Sequence, residues 1–221
     1  MSCVDDLPDV VYVVKPGERN NALRYSLRSL ANLPHRRVII GGSCPTWVKN
    51  VVHVPVPRLS RSKFDSIEAN LKAALNDMDI TDECTYFNDD FYVMTPLERM
   101  PVLHGGPAID YHPREQIGRR YRKTIAALGD PCALTYDGTH VPLPIITDDV
   151  LRSLELSPGG ILWRTWYGNT YDIDGERTHN AKVRSAKGTI PDGPFLSSSP
   201  MSLPALKEYL EDTLPRRSPY V

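Results

Sequence analysis

No stretch of this 221-residue chain approaches the roughly 18 consecutive apolar residues of a membrane-spanning helix. No membrane partner is therefore expected. The start carries Asp5 and Asp6 and no basic cluster ahead of an apolar run, which is not the pattern of a secretory leader. Charge of one sign is not in excess: 26 Lys and Arg face 27 Asp and Glu, for a net −1. Bulk charge therefore gives no argument for a nucleic-acid binder. Cysteine is sparse, at Cys3, Cys44, Cys84 and Cys132, with no Cys-x-x-Cys pair. That spacing indicates neither a zinc ribbon nor a disulfide framework, and reduced thiols in a cytoplasm are the simpler expectation. Walker, Gly-x-Gly-x-x-Gly, Cys–His and Ser-His-Asp signals are missing as well. What remains is an ordinary globular balance, 41% hydrophobic and 24% charged. The 20 Pro and 14 Gly add many turns and irregular segments.

The first half alternates between two periodicities. Asp9 to Val14 is a short run rich in β-branched residues, ended by Pro16-Gly17, and reads as a buried strand. Asn20 or Asn21 can cap a helix whose apolar face is Ala22, Leu23, Leu27, Leu30 and Ala31. Val38-Ile39-Ile40 before Gly41-Gly42, and Val51 to Val56 cut by Pro55 and Pro57, read as two more strands. Asp65-Ser66-Ile67-Glu68 has capping-box spacing, which predicts a helix start at Asp65. Thr85-Tyr86-Phe87 leads into Asn88-Asp89-Asp90 and out through Phe91 to Met94. This order predicts an α/β fold with a mostly parallel sheet flanked by helices. Ligands of such sheets collect at the carboxyl ends of the strands, where Asn88, Asp89 and Asp90 lie.

The second half is less regular. A basic helix is expected over 114–128, an extended segment over 141–144, a short helix capped by Thr147, a strand at Gly160 to Trp163, a long loop over 168–194 and a last helix capped by Ser202. No linker divides the chain. It reads as a single domain over 1–221, with a first half at 1–100 and a second at 101–221.

Several side chains could carry chemistry. Adjacent carboxylates at Asp89 and Asp90 repel one another, so something must favour their charge. Hard oxygen ligands suit Mg²⁺ or Mn²⁺, and a solvated acidic turn is the plain alternative. Arg24 and Arg28 lie four apart on one helix face, a spacing that is unfavourable by about 0.2–0.5 kcal/mol unless an anion joins them. Solvation of both is the alternative. His140, beside the stiff Val141-Pro142-Leu143-Pro144, can act as a general base or be a structural histidine. Arg164, between Trp163 and Trp166, can clamp a phosphate or stack on indole. Arg114, Arg119, Arg120, Arg122 and Lys123 form either a solvated face or a polyanion surface.

One block carries a family resemblance. Leu23-Arg24-Tyr25-Ser26-Leu27-Arg28-Ser29-Leu30 resembles the second conserved block of the Stealth family, the capsular polysaccharide phosphotransferases and N-acetylglucosamine-1-phosphotransferases. Cys44 to Val48, Phe64 to Leu71 and Tyr86 to Asp90 continue it in register. Asp9 to Val14, Thr139 to Pro144 and Phe195 to Tyr220 are similar to further blocks in family order. Short phage proteins labelled glycosyltransferases share these blocks, and this compact chain looks more like those.

The resemblance implies a GT-A-like, Rossmann-type sheet, with a nucleotide-sugar-binding half at 1–100 and an acceptor or catalytic half at 101–221, and metal-assisted transfer of a sugar or sugar 1-phosphate from a nucleotide-sugar donor to a hydroxyl. The acceptor would be a glycan, a protein or, on the strength of the basic run at 114–123, a modified nucleic-acid base such as one in DNA. It implies Mg²⁺ or Mn²⁺ on Asp89 and Asp90, with Asp90, His140 and Arg164 catalytic. His140 would take the acceptor proton and Arg164 would hold phosphate. Arg24 would meet the donor pyrophosphate, and Arg28, Tyr12, Asn88 and Glu68 would also bind substrate. The compartment implied is a cytoplasm, the host's if the chain is phage-encoded. Three departures stand out: Val14-Lys15-Pro16-Gly17 replaces the family's Val-Asp-Gly, Ala22 replaces a Glu, and a helix His is missing after Ser66. A non-catalytic sugar-nucleotide or polyanion-binding module is the alternative these losses suggest.

Overall fold

Asp9–Val14 forms β1 and is buried at all six positions, as a run apolar on both faces requires. The structure is a computed structural model and describes residues 6–16, 19–57, 62–110 and 115–221. After β1 come α1 (Asn21–Ser29), β2 (Val38–Gly42), β3 (Val52–Pro55), α2 (Lys63–Leu75), β4 (Glu83–Asn88) and β5 (Phe91–Val93). The second half adds β6 (Leu103–His104), α3 (Glu115–Leu128), β7 (Leu143–Ile146), α4 (Thr147–Leu156) and α5 (Trp163–Thr170). It closes with β8 (Glu176–Arg177), β9 (Lys182–Val183), β10 (Phe195–Ser198) and α6 (Leu203–Thr213).

The main sheet has the order β3-β2-β1-β4-β7. β1, β2, β3 and β4 run parallel, and β7 joins β4 antiparallel, with Tyr86 opposite Leu143. The chain steps outward from β1 to β3 and then returns to β1's other side with β4. That reversal leaves a crevice at the carboxyl ends of β1 and β4. Asp89-Asp90 sits there, and it is also where the chain leaves this sheet for a second one, β5-β10-β9. The α/β class with a mostly parallel, helix-flanked sheet is therefore as the sequence predicts.

The family-like block on α1 is largely a fastener. Ser26 Oγ donates to the Phe91 carbonyl and receives Tyr12 OH at 2.8 Å. Val93 N donates to Ser29 Oγ at 3.1 Å, and Asn32 Nδ2 to Val93 O at 2.8 Å. Three short polar side chains thus occupy the backbone groups of β5. Arg28 donates to the carbonyls of Pro215 (2.6 Å) and Leu214 (2.9 Å), and Tyr25 OH to Glu211 (3.1 Å). The block ties the C-terminal segment to the second sheet.

At the opposite end of β1, Asp9 is fully buried and receives Arg36 Nε at 2.9 Å and Nη2 at 2.8 Å, Arg37 Nε at 3.2 Å and Thr81 N at 3.2 Å. Burial pushes its carboxyl up, but the bonds from Arg36, Thr81 and Arg37, with Arg37's charge, outweigh burial and hold it below the ordinary range.

Four local expectations shift. The cap of α2 is Ser62, which forms a reciprocal capping box with Asp65, so Glu68 lies inside the helix. Gly160 to Trp163 is not a strand, and Trp163 opens α5 instead. A short apolar run fits either period, and here the helix wins because Asp137 accepts from the Thr165 N–H in its first turn at 2.9 Å. Thr147 is the first residue of α4 rather than its cap, and its hydroxyl donates to Thr81 O at 2.8 Å. Ser202 does sit at the α6 cap, but its hydroxyl donates to Val183 O at 2.7 Å instead of capping. The 168–194 stretch is mostly irregular, with the end of α5 and the two-residue strands β8 and β9 within it. Arg114 of the basic run lies outside the described residues.

Gly41 lets α2 cross the end of β2. A Cβ there would stand 2.2 Å from the Asn70 carbonyl oxygen, a backbone atom that cannot turn aside. Gly41→Ala should therefore cost about 1–3 kcal/mol, as overpacked sites do. Urea denaturation checks this, and an unchanged midpoint would show that α2 does not bear on β2 there.

Candidate functional site

A cleft of about 980 Å³ opens at the carboxyl ends of the parallel strands and draws on both halves of the chain. Its first-half wall comes from the ends of β1 and β2 and from Ile67 and Asn70 of α2; its second-half wall includes Tyr121, His140 and Arg164. Asn88, Asp89 and Asp90 lie on the border between them. Of the residues singled out from sequence, these three, His140 and Arg164 meet in the cleft.

The others do not line it. Tyr12 is fully buried under Ser26. Arg28 is spent on the C-terminal carbonyls. Arg24 lies over the Trp47 ring at 4.3 Å, so two blocks of the resemblance pack on each other. Glu68 is half-buried in α2; burial and then the nearby Asp65 push its carboxyl up, opposed by Arg120. On α3, Arg120 stacks on Phe64 at 4.2 Å, while Arg119, Arg122 and Lys123 are exposed.

Arg164 is only 4% exposed, and its Nε and Nη2 have no hydrogen-bond partner. Its guanidinium lies 5.8 Å from the Tyr86 ring centre and 6.0 Å from that of Phe91. Leaving such donors unmet costs about 1–3 kcal/mol or more, so an occupant with acceptor oxygens would recover that energy. Burial lowers the affinity of the guanidinium for its proton, and the charge of Asp137 opposes this. Asp137 also lines the cleft; burial pushes its carboxyl up, with Arg164 and Thr165 opposing. Sequence reading passed over Asp137 because its partners on α5 are 28 residues away.

His140 has φ = +53°, a conformation uncommon for a residue with a side chain. Strain of this kind is held by surrounding structure and clusters at functional sites. Gly138, two residues earlier, has φ = +85°, so the whole turn is bent to present the imidazole edge-on to Phe91, 6.4 Å between centres. Phe91, directly after Asp90, is thus the shared neighbour of His140 and Arg164.

The acid pair is not left bare. Lys182 Nζ lies 2.6 Å from Asp90 Oδ2. Asp89, 7% exposed, accepts Asn20 Nδ2 at 2.8 Å and has Lys15 Nζ at 3.9 Å. Burial and the charge of Asp90 push the Asp89 carboxyl up; Lys15, Asn20 and Lys182 oppose them. Tyr86 OH donates to Asn88 Oδ1 at 2.6 Å.

The resemblance implies a divalent cation on these two acids, and the donor set does not suit one as it stands. An ammonium already sits against Asp90, and a second stands near Asp89. Among the described residues, no group of three or more His, Cys, Asp or Glu side chains gathers as a cation cage. Among the described residues, no helix is long and apolar enough to cross a membrane. No protein-family model matches the chain, and no functionally curated protein aligns with it significantly.

Proposed function

We propose that this chain is a glycosyltransferase-type enzyme of GT-A-like architecture. It would pass a sugar or sugar 1-phosphate from a nucleotide-sugar donor to a hydroxyl. The observation that carries this reading is the pair of buried, unpartnered Arg164 nitrogens in a cleft that also holds His140. A planar guanidinium with two open donors fits a phosphate in two-point geometry. The crevice at the strand reversal is where parallel sheets take nucleotides. The strained turn at His140 presents an imidazole to the same space.

In the reaction, the acceptor hydroxyl gives its proton to the His140 imidazole as its oxygen attacks. In sugar transfer a C–O bond forms at the anomeric carbon, and the bond to the nucleoside diphosphate breaks. In phosphosugar transfer a P–O bond forms, and a nucleoside monophosphate leaves. Either way, negative charge grows on a phosphate oxygen facing Arg164, and preorganised donors there lower the barrier.

A panel of nucleotide sugars, incubated with candidate acceptors and read by mass spectrometry of the released nucleotide, tests the proposal. Release of a monophosphate or a diphosphate tells the two transfers apart. Nucleotide-sugar binding with no release at all would reject catalysis and leave the binding-module reading.

A further inference from the structure

We propose that Lys182, not a divalent cation, is the resident countercharge of the acid pair, and that Lys182 and Arg164 together clamp a diphosphate without metal. This rests on the transferase reading above and names how its donor's phosphates are held.

Three placements carry it. Lys182 is 15% exposed and its ammonium meets Asp90 at 2.6 Å, closer than a loosely solvated surface pair. It is fixed there by backbone: Ser198 N bonds Asp90 O, Ser197 N bonds Ala181 O, and Ala181 N bonds Thr139 O, the residue before His140. One hydrogen-bonded chain therefore sets Asp90, Lys182 and the His140 turn relative to one another. Lys15 adds a second ammonium near Asp89. A divalent ion would have to compete with Lys182 for Asp90, and the two ammoniums already standing at the pair oppose the arrival of further positive charge.

Among the described residues, the buried side-chain atoms left without partners in this cleft are donors, Arg164 Nε and Nη2. An ammonium has three N–H groups, and Asp90 occupies one, so Lys182 has donors to spare. The open donors of Lys182 and Arg164 thus line the same cleft. Donors of this kind select an acceptor-rich anion, and two cations lining one cleft offer a separate anchor for each phosphate of a diphosphate. During transfer the acceptor proton goes to His140, the new bond forms at the donor, and the departing phosphate oxygens take their charge onto Lys182 and Arg164. No other reactant is needed.

The test uses inorganic pyrophosphate and Mn²⁺ as separate probes of the intact chain. In excess chelator, calorimetry should show pyrophosphate binding that weakens at least tenfold in Lys182→Met and is retained in Lys182→Arg. Mn²⁺ alone, followed by electron paramagnetic resonance, should bind the wild type no better than Asp90→Asn. Thermal melts of each variant confirm that it is folded. Submillimolar Mn²⁺ binding that disappears in Asp90→Asn would overturn the proposal, and so would equal pyrophosphate affinity in wild type and Lys182→Met. The two readings fail separately. Turnover that appears only with added Mg²⁺ or Mn²⁺ sinks the lysine clamp and leaves the transferase. Chelator-resistant pyrophosphate binding without turnover of any donor sinks the transferase and leaves the clamp.

Discussion

Arg164→Met should lower turnover about 10²–10³-fold, the loss typical of removing one preorganised donor aimed at developing charge. The variant keeps an unbranched apolar stem but removes the guanidinium, with both unpartnered nitrogens and its approach to the Tyr86 and Phe91 rings. It also leaves Asp137 without its cation, although that carboxylate keeps the Thr165 N–H. Arg164→Lys restores charge without the planar fork, so it should recover stability more fully than activity. Steady-state kinetics beside melting temperatures separates the two effects. Wild-type kcat/KM in the Met variant would remove Arg164 from the site.

The largest expected stability effect is at the far end of β1. Asp9→Ala removes a buried carboxylate that two guanidiniums share; Arg36 keeps the Asp79 carbonyl and Arg37 keeps Asp77 and Asp79, so the loss should fall near the lower end of the roughly 3–5 kcal/mol that breaking a buried pair costs. The same carboxyl shapes the acid limb. Its folded-state affinity for protons is depressed, so its contribution is complete above the ordinary carboxylate range and fades as pH falls through the lower folded value. As pH falls below the ordinary carboxylate range, the gap in urea midpoint between wild type and Asp9→Ala should narrow. A gap that stays constant there would mean that Asp9 is not the titrating group.

What the sequence made legible was local. The run Asp9 to Val14 is apolar at nearly every position because both its faces are covered, and that alone announces a central parallel strand. Asn88-Asp89-Asp90 stood out because apolar residues flank it on both sides, which placed the acids at a strand end. What stayed hidden was the company these residues keep. Lys182 meets Asp90 across 92 positions, from a two-residue strand inside what reads as loop. Arg24 and Arg28 share a helical spacing that suggests a common anion, yet one stacks on Trp47 and the other holds carbonyls 186 and 187 positions away. Spacing along one helix says which side chains share a face, but not what that face meets. The misplaced cap at Asp65 is a smaller case: Ser62-x-x-Asp65 and Asp65-x-x-Glu68 are overlapping boxes, and hydrogen bonding chose the first.

β3 is the outer strand of the main sheet; it ends at Pro55, and Val56-Pro57 follow it. An uncovered strand margin is a template on which a second chain could add itself. Proline supplies no N–H for such an addition, so two of them at the rim shorten the usable ladder to a few residues. The same short segment also sends Val56 and Pro57 into the wall of the cleft. Replacing both prolines would therefore threaten two things at once: the shape of the cleft, and the protein's resistance to sticking to copies of itself in a crowded solution.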